Sequence, residues 1–187
     1  MKLAVIFPGI GYHTDKPLLY YAKKLAKSYG YEVVEVPYRN FPENVKGSSG
    51  KMQEAFYSAL EQAEVMLRDV EFVRYERILF VSKSVGTAVA GAFAGTHHLN
   101  AHNIFYTPVE PTFRFIQGDG IVFHGTDDPW VETALVKQAC IERNLPLYIT
   151  EGANHSLETG DVLTDLKNMR IIMEQSREYI EKIEIMI

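Results

Sequence analysis

The chain has 187 residues, 47% of them hydrophobic, enough for one domain spanning 1–187 with a sizeable core. Its formal net charge is −5 and no basic block is interleaved with aromatics, so the composition excludes the usual nucleic-acid-binding class. A single cysteine, Cys140, rules out an internal disulfide, and no apolar run suits a signal-peptide core or a membrane span, so a cytoplasmic protein with no membrane partner is expected.

Leu3–Phe7 reads as a buried strand broken by Pro8-Gly9-Ile10-Gly11. Thr14 or Asp15 is expected to cap a helix from about Lys16 to Tyr29, with Pro17 in its first turn and Gly30 as its stop. Tyr31–Val36 is a second strand, and the segment 38–50 is a loop long enough to be functional. From about Lys51 to Arg68, Met52, Ala55, Phe56, Ala59, Ala63 and Met66 recur at helical spacing and mark an inward face. Ile78–Val81 is a continuous apolar strand, and a small-residue helix runs from the following turn to about Thr96. Asn103–Pro108 and Gly120–Phe123 are two further strands, separated by too little chain for a lid domain. A helix over Val131–Arg143, which buries Cys140, leads to the strand Leu145–Ile149. The last helix, from about Asp161 to Ile183, carries Leu166, Met169, Met173, Ser176, Ile180 and Ile183 on one stripe; Tyr179 and Ile187 either stand exposed and offer a homodimer contact or cover the core. Strands alternating with helices imply a three-layer α/β/α sandwich on a parallel sheet of about six strands.

Three turns at the ends of these strands carry chemistry. Ser82-Lys83-Ser84-Val85-Gly86 joins the third strand to its helix as a nucleophile elbow does, with Ser82 where G-x-S-x-G has its first glycine. Gly125-Thr-Asp-Asp128-Pro-Trp-Val131 and Gly152-Ala-Asn-His155 follow the fifth and sixth strands. A parallel sheet lines up the C-terminal ends of its strands along one edge, where Ser84, Asp128 and His155 could meet. In this order the three turns resemble the elbow, the G-x-x-D-x-x-V acid loop and the G-x-x-H histidine loop of the α/β-hydrolase superfamily, in particular its small, lidless dienelactone-hydrolase and carboxylesterase-like members.

That resemblance implies strand order 2-1-3-4-5-6 and a serine hydrolase that takes a small ester or thioester through an acyl-enzyme. Ser84 would be the nucleophile, His155 the general base and acid, and Asp128 the orienting acid. The backbone N–H of Val85 and that of Ile10 or Gly11 would form the oxyanion hole. No cofactor and no metal is implied. Asp127 stays open as the acid but suits turn capping better, and Glu110 is a further alternative. His13, His97, His98, His102 and His124 lack metal-site spacing and read as surface or helix-end residues. Tyr12, Phe41, Phe113 and Trp130 stand on loops expected to border an acyl pocket. Two other classes compete: a non-catalytic binding protein on the same fold, which the Ser82 departure favours, and a flavodoxin-like nucleotide-binding domain, which leaves all three turns unexplained.

Overall fold

In the computed structural model, which describes residues 1–41, 45, 48–116 and 118–185, six strands build one parallel sheet ordered β2-β1-β3-β4-β5-β6. The elements run β1 (Lys2–Phe7), α1 (Pro17–Ser28), β2 (Glu32–Glu35), α2 (Ser49–Leu67), a short 3-10 turn (Phe72–Arg74), β3 (Arg77–Lys83) and α3 (Val85–Thr96). Then follow β4 (His102–Tyr106), α4 (Thr112–Phe115), β5 (Gly120–Gly125), α5 (Thr133–Glu142), β6 (Leu147–Thr150) and α6 (Val162–Ile185). Every pairing is parallel, because each strand returns through a helical crossover. The described part of the segment between β4 and β5 holds only the four-residue α4, so no cap domain is inserted there. No helix among the described residues is long and apolar enough to cross a membrane.

The central strands are apolar on both faces because both are covered. On one face Ala4, Ile6, Leu79, Val81, Ile104 and Phe123 pack against Leu18, Leu19 and Ala22 of α1 and Ile172, Ile180 and Ile183 of α6. On the other, Leu3, Val5, Phe7 and Phe80 meet Ala59, Ala63 and Leu67 of α2 and Val89, Ala90 and Phe93 of α3. Phe105 and Val122 continue that face under Val136, Ala139 and Cys140 of α5.

Four expectations change or are settled at this level. Lys16, without a side-chain cap bond, occupies the N-cap of α1; Asp15 instead pairs with Lys23 at 3.2 Å. On α2 the buried stripe runs Ala55, Ala59, Ala63, Leu67, and Met66 is 38% exposed, since one residue of offset turns a side chain about 100° off the stripe. Tyr179 is buried, not exposed: its hydroxyl donates to Asp119 Oδ1 at 2.7 Å and accepts from the Asn103 N–H at 3.3 Å, so it offers no dimer contact. Ile187 lies outside the described residues, as do residues 42–44, 46 and 47 of the expected 38–50 loop, whose last two residues already belong to α2.

Candidate functional site

The β3 ladder continues past its apolar run to Lys83, which pairs in register with Tyr106, and Ser84 follows at φ 56° and ψ −126°. A non-glycine residue there costs on the order of 1–3 kcal/mol, so the surroundings must hold it. The Ser84 N–H donates to Tyr106 O at 3.1 Å, and the Ser84 carbonyl accepts the Thr87 N–H at 2.9 Å. Gly86 permits this turn: a Cβ there would stand 2.3 Å from Pro8 O and 2.4 Å from Phe7 O. Ser82 needs no such room. It is fully buried and its hydroxyl donates to Ile104 O at 3.4 Å, so the position absorbs a small side chain.

β5 and β6 deliver the other two turns. The acid loop is tied to the histidine loop by Thr126 N–H to Thr150 O at 3.1 Å and Asp127 N–H to Ala153 O at 2.9 Å. Gly125 allows that approach, because a Cβ there would lie 2.2 Å from Ala153 O. His155 is fixed by its carbonyl, which accepts from Thr107 Oγ1 at 3.0 Å, and by Trp130, stacked on its ring with centroids 5.3 Å apart. As a result His155 Nδ1 stands 2.7 Å from Asp128 Oδ2, and His155 Nε2 stands 2.7 Å from Ser84 Oγ.

Electrostatics select the tautomer. Burial pushes the Asp128 carboxyl up, but the hydrogen bond and charge of His155, the Trp130 N–H and His124 together hold it below the usual carboxylate range. An ionised Asp128 accepts only, so Nδ1 of His155 carries the proton and Nε2 presents a lone pair to the Ser84 hydroxyl. Asp128 also caps its own turn, Oδ1 accepting the Trp130 N–H at 2.9 Å, the task expected of Asp127. Asp127 is exposed, as is Glu110, which borders a different hollow beside Phe113 and Arg143.

Gly9 and Tyr12 exchange backbone hydrogen bonds at 3.2 and 3.4 Å, so Ile10 and Gly11 form the tip of a tight turn, Gly11 at φ 72°. Ile10 and Gly11 line the cleft that holds Ser84, His155 and Trp130. Val85 is the first residue of α3, where an N–H has no carbonyl a turn earlier to bond. Of the aromatics expected here, Tyr12 and Trp130 border this cleft; Phe113 is buried under α5, and Phe41 packs edge-on to Tyr38 over the α2–α3 core. The apolar hollow is elsewhere: about 370 Å³ between Met52, Phe56, Tyr57, Val85, Val109 and Phe115, sharing Met52 with the cleft.

Two residues of the site escape the sequence reading. His124 is not at the surface but fully buried, its Nε2 3.0 Å from Thr133 Oγ1 and its Nδ1 3.9 Å from Asp128 Oδ2 with no hydrogen-bond partner. Burial keeps its imidazole below the ordinary histidine range, against the pull of Asp128. Lys83 is 1% exposed and borders the cleft, its ammonium 5.0 Å from the centre of the Tyr12 ring. Lys83 closes β3 and His124 stands one residue before the end of β5, each beyond its strand's apolar stretch, and that extension is the signal that could have found them. Among the described residues no group of three or more His, Cys, Asp or Glu side chains could hold a metal ion.

No protein-family profile matches the chain, and no curated protein matches it. Solved structures do. An α/β serine hydrolase homologue from Coxiella burnetii superposes at TM-score 0.67 with 15% identity, over 95% of this chain and 84% of that one. A serine hydrolase without a lid from Xanthomonas campestris matches at 0.65 and 14%, over 97% and 81%. Est1E from Butyrivibrio proteoclasticus, solved with ferulic acid bound, matches at 0.69 and 11%, over 97% and 89%. At such identities the likeness establishes the α/β-hydrolase fold, with the strand order that the three turns imply.

Proposed function

We propose that this chain of α/β-hydrolase fold is a serine hydrolase cleaving a small ester or thioester through an acyl-enzyme. The observation that carries the reading is the unbroken relay from Ser84 Oγ through His155 to Asp128, at 2.7 Å on each side, built on a serine held at positive φ. A serine hydroxyl is a poor nucleophile without a base in reach. As Ser84 Oγ bonds to the carbonyl carbon, His155 Nε2 takes its proton, and Asp128 stabilises the imidazolium. The carbonyl oxygen becomes an oxyanion that receives the N–H of Val85 and of Ile10 or Gly11. Collapse breaks the bond to the leaving group, which departs with the proton from Nε2 as an alcohol or thiol. Water, deprotonated by the same nitrogen, then attacks the acyl-Ser84 carbonyl, releasing the carboxylic acid and restoring the hydroxyl.

The neighbours support a hydrolase by analogy of fold only, and a fold hosts many chemistries. The choice of small, dissolved substrates rests on the absence of an inserted cap between β4 and β5 among the described residues and on the modest hollow behind Val85. The test is a series of short esters and thioesters assayed with wild type, Ser84→Ala, His155→Ala and Asp128→Asn. Turnover in the wild type should fall on the order of 10⁴-fold or more in each variant, because the three act as one unit. Its rate should saturate with dissolved ester and show no jump when the ester passes its solubility limit. Activity retained in Ser84→Ala would contradict the reading, as would preference for a long-chain emulsion over short esters for the substrate size.

A further inference from the structure

Lys83 immediately precedes the nucleophile and takes no part in the relay. Along β3 the side chains alternate, so Lys83 shares the α1 face with Leu79 and Val81 and extends beneath Tyr12, while Ser82 faces the other way. The side chain is 99% enclosed, and what remains open borders the Ser84 cleft. Among the described residues no hydrogen bond or ion pair reaches its ammonium. Among them its one direct contact is the face of the Tyr12 ring, and a buried cation held by a ring face alone, with no hydrogen-bonded anion, is costly.

The lining of the cleft says what would pair with it. Lys16, at the N-cap of α1, has its ammonium 6.0 Å from the same Tyr12 ring and faces the same space. No carboxylate lines this cleft among the described residues, although the chain as a whole is acidic at −5. The cleft holds about 170 Å³, room for a short chain.

We infer that Lys83, assisted by Lys16, anchors a carboxylate of the substrate, so that this site selects short esters bearing a free carboxylate, such as half-esters of small dicarboxylic acids. The assignment rests on the hydrolase reading above and names its substrate class. In the low-dielectric floor of the cleft an ammonium–carboxylate pair is worth far more than in water, and it fixes the ester carbonyl over Ser84. The charged groups that act on Lys83 are Asp128 from the acid loop and Glu158 just after the histidine loop, while Lys16, Tyr12 and His155 line the same cleft. Burial lowers the Lys83 ammonium to about 7, against the pull of Asp128 and then Glu158, so the free site carries this charge mainly below that pH. Charge selection is therefore strongest on the acid side of neutrality.

The experiment compares ethyl hydrogen succinate with ethyl succinamate, which differ in charge and hardly in shape, reading the ratio of kcat/KM in the wild type, Lys83→Met and Lys16→Met. Fluorophosphonate labelling of Ser84 is followed in parallel. The wild-type ratio at pH 6.5 should favour the anion at least tenfold and decline by pH 9. Lys83→Met should bring it near one, and Lys16→Met should lower it part of the way. If Lys83→Met does not fold, the wild-type ratio and its pH dependence decide. A wild type that labels at Ser84 yet takes the amide as well as the anion, or whose ratio survives in Lys83→Met, overturns the anchor and leaves the hydrolase reading standing. Absence of both labelling and turnover overturns both.

Discussion

Lys83 ends β3 and His124 stands one residue before the end of β5, and each places a nitrogen base beside the relay without joining it. Burial of Lys83 has a thermodynamic consequence. Its ammonium is lowered from 10.5 to about 7 by burial, so between those values the unfolded chain binds a proton that the folded chain does not. Stability from this group therefore rises with pH across that window, and the full penalty is present below pH 7. Lys83→Met removes the penalty and keeps an unbranched side chain one atom shorter. It should raise the unfolding free energy at pH 6 by ~2 kcal/mol, a shift of several degrees in Tm, with the gain shrinking towards zero by pH 10. Thermal unfolding of the two proteins at pH 6, 8 and 10 checks this; a pH-independent difference would mean that packing, not charge, is involved. Neither residue is legible from periodicity, because alternation marks where apolar side chains go and falls silent at a strand's last polar residue. Ser84, Asp128 and His155 are legible because each sits in a turn whose glycines and order are themselves a pattern.

At the scale of elements, the site depends on two close approaches made possible by glycine. Gly86 brings the start of α3 against the end of β1, and Gly125 brings the acid loop against the histidine loop. A Cβ at Gly125 would meet the backbone of Ala153 and Asn154, which cannot swing away as a flexible side chain would. Gly125→Ala should therefore push the histidine loop off Asp128, costing roughly 1–3 kcal/mol of stability and at least a hundredfold in esterase activity. Denaturant unfolding and an ester assay on the same preparation check both effects; wild-type activity in that variant would show that the loops are not coupled here. Gly11, where φ is 72° and a Cβ would meet no atom within 4 Å, instead serves conformation alone. Element identity follows from the sequence because strands covered on both faces read as unbroken apolar runs. Element phase does not: Met66 and Leu67 are equally apolar, and only the packed sheet decides which faces inward. The cap of α1 is hidden for a similar reason, since Asp15 pairs with Lys23 across the fold and leaves the helix N-terminus to Lys16.

Across the whole molecule, the parallel sheet gathers the ends of β1, β3, β5 and β6 on one edge, and everything attributed to the protein happens there. The crossovers put the helices on the faces and leave that edge to loops. With no cap inserted between β4 and β5 among the described residues, a reagent should reach Ser84 from solvent, though the serine itself is only 9% exposed. All of the proposed chemistry turns on Ser84 being activated by His155 in an accessible cleft. Intact mass after treatment with a fluorophosphonate, on wild type, Ser84→Ala and His155→Ala, tests it most directly. One adduct per wild-type chain and none on either variant is the expected result. A folded wild type that stays unlabelled, or an adduct that persists in Ser84→Ala, would contradict it.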